Sequence, residues 1–87
     1  LAELMTRYEA NRAVAVAAYN AGPTRVDEWL RRFSGIETVA WIEQIPLHET
    51  RSYVKNVLAG CHVYSQLLGK PLPVLEAHER LVPSLRD

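Results

Sequence analysis

Long apolar runs are absent from this 87-residue chain, and so is any excess of charge of one sign. Without about 20 consecutive apolar residues no segment is long enough to cross a bilayer as a helix. Ten basic residues balance ten acidic ones, so no overall field draws the chain to nucleic acid or to an anionic membrane. Cysteine occurs once, which excludes an intrachain disulfide framework; Cys61 lies on an apolar helical stripe and is expected to be a small core residue. Zinc and phosphate motifs are missing too. His48, His62 and His78 are too scattered to act as a metal pair, and no carboxylate spacing marks a general acid with its base. The N-terminus "LAELMTRYEA" lacks the basic and apolar regions of a signal peptide, and it starts inside an amphipathic pattern, as expected of a segment cut from a longer protein.

Hydrophobic residues make up 48% of the chain and charged residues 23%, a balance that supports a packed domain rather than disorder, although so short a chain is only marginally able to bury a core. Leu1, Leu4, Met5 and Tyr8 share one face of a helix. Asn11 can cap a second helix built of small residues, "RAVAVAAYN", which lets another backbone come close. Gly22 and Pro23 end that helix and start the next, where Val26, Trp29, Leu30 and Phe33 take the buried face and Arg25, Asp27, Glu28, Arg31 and Arg32 the outer side. The segment "ETVAWIEQIP" makes about two turns before Pro46.

The longest helix is expected from about Glu49 to Leu68. It carries one stripe of Val54, Val57, Leu58, Cys61 and Leu68 and a second of Tyr53, Val57, Gly60, Tyr64 and Leu67, which predicts burial over a broad face. Beyond Gly69 the tail holds three prolines and should be an extended strap or linker with one short turn. The architecture is therefore all-α, with four to five helices.

Two blocks stand out. "AVAAYNAGPTRVDEWL" followed by "WIEQIPLHETRSYVKNVL" resembles the C-terminal half of the catalytic domain of the soluble lytic transglycosylases, which share the lysozyme-like fold. On that resemblance residues 1–68 are the C-terminal part of such a domain and residues 69–87 a proline-containing tail. The resemblance implies cleavage of the bond between N-acetylmuramic acid and N-acetylglucosamine in peptidoglycan glycan strands, without water, leaving 1,6-anhydromuramoyl ends. It implies no cofactor, no metal, and a place in the periplasm or cell envelope. The family's catalytic glutamate sits in a Glu-Ser pair ahead of a Gly-Leu-Met-Gln block, and neither occurs here, so the acid's role is carried over to no residue.

Spacing alone makes Tyr19 a helix-end core residue and Asn20 a cap for carbonyls ahead of Gly22. The resemblance instead sets the Tyr19 phenol beside the catalytic glutamate and makes Asn20 either a support for the turn or a sugar contact. Glu49 and Tyr53 lie four apart on one helix face, and in the family this Glu-Thr-Arg-x-Tyr block lines the site; without the resemblance they read as a first-turn acid and a core aromatic. Arg51, Lys55 and Asn56 read as a solvated face or as local hydrogen bonding. The alternative to an enzyme half is a helical module that binds glycan or a protein without cleaving. As half a domain, the isolated chain should be inactive and should expose an apolar patch that favours self-association.

Overall fold

The computed structural model describes residues 1–85, and among these five α-helices and one 3-10 turn succeed each other with no strand. They are α1 (Ala2–Arg7), α2 (Arg12–Ala21), α3 (Pro23–Arg32), α4 (Thr38–Glu43) and α5 (His48–Leu67), with the 3-10 turn at Ala77–Glu79. The fold is all-α, as the periodicity requires.

Helix α2 is the centre. Every residue from Ala13 to Ala18 is buried, and α1, α3 and α5 all pack on it. Small side chains make this possible, because a helix of alanine and valine admits neighbours on several sides. Its start is fixed by Asn11, whose Oδ1 accepts from the Val14 amide at 3.3 Å. Its end is fixed by Gly22, at φ 96° and ψ 144°, an extended conformation with positive φ that is open almost only to glycine. The Gly22 amide donates to the Ala18 carbonyl at 2.8 Å, and Pro23 begins α3 at once.

On α3, Val26, Trp29 and Leu30 are buried, and the Trp29 ring lies 6.4 Å from that of Trp41 on α4 at a 55° tilt. Each such side chain removed from water contributes about 1.5–3 kcal/mol. Asp27 departs from the expectation of an outer position. It is buried, accepts the Tyr8 hydroxyl at 2.7 Å, and pairs with the Arg7 guanidinium, so it joins α3 to the end of α1.

Helix α5 buries a narrow line, Thr50, Val54, Leu58 and Ser65, in place of the broad face that two stripes suggest. Cys61 is exposed and is not a core residue, and Tyr64, Leu67 and Leu68 are exposed as well. The reason is length. Twenty residues of helix run about 30 Å, whereas the helices packed on α5, α2 and α4, have ten and six residues, so the last turns are left to the strap alone.

The proline-containing segment returns along the body as a strap. Leu72 is its first fixed point: its amide donates to Ser65 Oγ at 3.0 Å and its carbonyl accepts from His62 Nδ1 at 2.6 Å. Glu79 is the second. Its carboxylate is fully buried and accepts from Arg12 Nε and Nη2, each at 2.8 Å, from the Arg12 amide at 2.8 Å and from the Glu76 amide at 2.9 Å. The strap then lies beside the start of α4, with the Thr38 amide donating to the Arg80 carbonyl at 2.8 Å and the Val82 amide to the Ile36 carbonyl at 2.9 Å. Asn11 closes the arrangement by donating through Nδ2 to Thr38 Oγ1 at 3.1 Å and to the Leu81 carbonyl at 3.3 Å.

Candidate functional site

The end of α2 and the start of α5 meet through one side-chain bond. Thr50 Oγ1 donates to Asn20 Oδ1 at 2.6 Å, and Thr50 is buried in the helix interface while Asn20 is exposed. Pro46 and Leu47 bring the chain into α5 here, and the corner is held by Arg51, which donates to the Ile45 carbonyl at 3.3 Å and to His48 Nδ1 at 3.0 Å. A guanidinium can only donate, so His48 accepts on Nδ1 and keeps its proton on Nε2.

A cleft of about 600 Å³ opens at this junction, with Asn20 and Ala21 from α2, Arg25 from α3 and His48, Glu49 and Thr50 from α5 among its walls. Two of the four candidate residues, Asn20 and Glu49, therefore share it. Tyr19 and Tyr53 do not line it. Tyr19 is 63% exposed on the last turn of α2, which excludes a core role for its phenol, and Tyr53 is 37% exposed one turn along α5 from Glu49. Nor does Asn20 cap carbonyls: its oxygen is taken by Thr50, and among the described residues its amide nitrogen has no protein acceptor.

Thr50, Arg25 and His48 were not singled out by the sequence. For Thr50 a signal existed, a hydroxyl on the inward side of a first turn; for the other two there was none, because they reach the cleft through the packing of α3 and α5. Glu76, His78 and Glu79 offer ligand atoms within 4.8 Å of one another, but the Glu79 oxygens are already occupied by N–H donors from Arg12 and Glu76, and the group serves the strap.

Two buried polar groups tie the surrounding elements together away from the cleft. Burial alone raises a carboxyl, yet the Arg12 hydrogen bonds and the two backbone amides hold Glu79 below its ordinary value. Burial, with the bond to Asp27, pushes the Tyr8 hydroxyl up to about 12, so it remains a neutral donor that fixes α3.

This all-α body, with its Tyr-Asn-Ala-Gly turn set against a Glu-Thr-Arg helix start, belongs to the soluble lytic transglycosylase family. A family model described as the transglycosylase SLT domain matches residues 1–42, and one described as the soluble lytic transglycosylase helical domain matches residues 44–73. The soluble lytic murein transglycosylase of Salmonella typhimurium is 54% identical over 61 residues, which is 69% of this chain and 10% of that protein. Its namesake from Escherichia coli K12 is 49% identical over 70 residues, 79% of this chain and 11% of that protein. An X-ray structure of an inactive Glu-to-Gln mutant of the lytic transglycosylase Slt from Pseudomonas aeruginosa superposes with a TM-score of 0.89 at 42% identity, covering 95% of this chain and 14% of that one. The chain thus spans about a tenth of the length of the curated relatives it matches.

Proposed function

We propose that this chain is the substrate-positioning part of a peptidoglycan lytic transglycosylase catalytic domain, working in the bacterial periplasm or cell envelope. The observation that supports this reading is the Asn20–Thr50 bond, which joins the end of α2 to the start of α5 beside a cleft that Asn20 and Glu49 share. In the proposed reaction the C6 hydroxyl of the muramoyl unit attacks its own C1. The C1–O bond to N-acetylglucosamine breaks, a carboxylic acid protonates the departing oxygen, and the resulting carboxylate takes the C6 hydroxyl proton. One carboxyl group serves both steps, so the second carboxylate of an ordinary glycosidase is not required.

No residue of this chain is assigned that carboxyl. Its source is the remainder of the parent protein, a reading in keeping with the glutamate replaced in the inactive Pseudomonas mutant. Tyr19 supports the proton transfers through a hydroxyl that both donates and accepts. Asn20, through its free amide N–H, and Glu49 and Tyr53 on α5 bind sugar hydroxyls and acetamides.

The test is digestion of purified sacculi by the full-length protein, with mass spectrometry of the products. Muropeptides ending in 1,6-anhydromuramic acid are expected. Reducing ends in their place would mean hydrolysis and would overturn the reading, and murein binding without cleavage would put a non-catalytic glycan-binding module in its place.

A further inference from the structure

The C-terminal turns of α5 form a surface of their own. Val63, Tyr64, Leu67 and Leu68 are each more than half exposed. They fall into rows with a spacing of four, Gly60, Tyr64 and Leu68 in one and Val63 and Leu67 in the other. Such rows are the ridges that interdigitate when one helix packs on another. Gly60 has open space where a Cβ would stand, so a second backbone can come close at the head of the first row. A groove of about 450 Å³ lies beside the rows, with Tyr64, Leu68 and the strap residue Leu72 among its walls, together with Arg12, Cys61 and Lys70.

Ridges of this kind suit a helix, and the groove narrows its charge. Among the described residues its walls hold two cations and no carboxylate. Arg12 is neutralised by Glu79, which leaves the exposed Lys70 to be matched. A second copy of this chain brings the same face, with the same lysine and no acid, so it is the cover left to the chain in isolation and not the one the face fits. Two observations point instead to the rest of the parent protein. The helical-domain family model matches residues 44–73, the stretch that holds α5 and Leu72, and this chain covers only 14% of the Pseudomonas chain. We propose that a helix from the helical part of the parent protein, outside this chain, packs across the Gly60 to Leu68 face of α5 with an acidic residue beside Lys70. The contact lies at the opposite end of α5 from the Asn20–Thr50 junction, so it mounts the cleft on the rest of the protein and does not rest on the reaction proposed there.

Cys61 is a built-in reporter, because it is exposed in this chain and borders the same groove. The experiment treats the full-length protein with iodoacetamide and follows alkylation of the Cys61 peptide by mass spectrometry, in native buffer and in denaturant. Native alkylation should be slower by about a hundredfold or more, at every protein concentration. A carbodiimide should join Lys70 to an Asp or Glu of the helical part. Leu67→Glu alters a side chain that is 80% exposed here, so it leaves the helices of this chain intact by circular dichroism, and it should speed Cys61 alkylation by about tenfold. Native alkylation at the denatured rate, or a variant as protected as the wild type, would overturn the proposal. Protection that fades on dilution would put a second copy on the face, and a Lys70 cross-link to a segment outside the helical part would put another partner there; either would overturn it too.

Discussion

Thr50 and Asn20 are thirty positions apart in sequence and 2.6 Å apart in space, hydroxyl to amide oxygen, at the junction of α2 and α5. Because Thr50 is buried, its donor has no cheap substitute. Thr50→Val keeps the shape and removes the bond, and should cost about 1 kcal/mol in denaturant unfolding. In a double-mutant cycle with Asn20→Ala the coupling should be of similar size, about 1 kcal/mol. Strict additivity of the two variants would mean that the bond holds nothing together.

Tyr19→Phe in the full-length protein removes a hydroxyl that is proposed to act during proton transfer. Turnover should fall by about tenfold to a thousandfold while KM changes little. The exposure of Tyr19 makes the test clean, since losing one exposed oxygen should leave the melting temperature where it was. Full turnover in the variant would remove Tyr19 from the site.

Stability should depend on pH at both ends. Glu79 is held below the usual carboxylate range in the folded chain, so its contribution is complete above the unfolded value near pH ~4.3 and disappears as the pH falls through the folded value. Tyr8 is raised to about 12, so its contribution is complete below the unfolded value near ~10 and is lost as the pH rises toward 12. Melting followed against pH should show both limbs. Glu79→Gln should flatten the acid limb and, by leaving Arg12 without its partner, lower stability by about 3 kcal/mol at neutral pH.

Glu9 and Ala10 join α1 to α2 at φ 57° and 61°, a left-handed pair with no glycine in it. Both are exposed, and left-handed backbone costs an L-residue about 1 kcal/mol or more. Ala10→Asn accepts that conformation without loosening the unfolded chain, and should stabilise by about 0.5 kcal/mol in thermal unfolding. A lower melting temperature would show that the turn is not strained.

The far end of α5 leaves Val63, Tyr64, Leu67 and Leu68 exposed, with Leu67 at 80%. Such a patch is normally covered, so light scattering of the isolated chain should give a mass above that of a monomer. Leu67→Lys with Leu68→Glu should return it to the monomer. An isolated wild-type chain that stays monomeric at high concentration would contradict this.

Much of the fold was legible because helices announce themselves locally. The i, i+3, i+4 spacing of α1 and α3, the Asn11 cap and the Gly-Pro break all appear where the residues call for them. Periodicity says which side chains share a face, however, and not how far along that face a neighbour extends, which is why Cys61 was expected inside and lies outside. Asp27 was misplaced because its partner Tyr8 comes from another helix. The latch of Glu79 on Arg12 joins residues 67 positions apart and has no local signature. At the cleft the Tyr-Asn and Glu-Thr blocks were visible as strings; that Thr50 joins them, and that Arg25 shares the wall, are facts of packing.

Asn11 and Asn20 stand at the two ends of α2, about 14 Å apart along its axis at 1.5 Å per residue. The first is fastened to the strap and to α4, the second to α5. The helix between them is a short, stiff rod of alanine and valine with little side-chain slack, so its lengthwise position is set jointly from both ends. A disturbance of the strap would then be felt at the cleft as a shift in depth rather than a change in chemistry. In the Glu79→Gln variant that coupling should appear as faster hydrogen exchange at the Gly22 amide, at the opposite end of the rod from the altered residue.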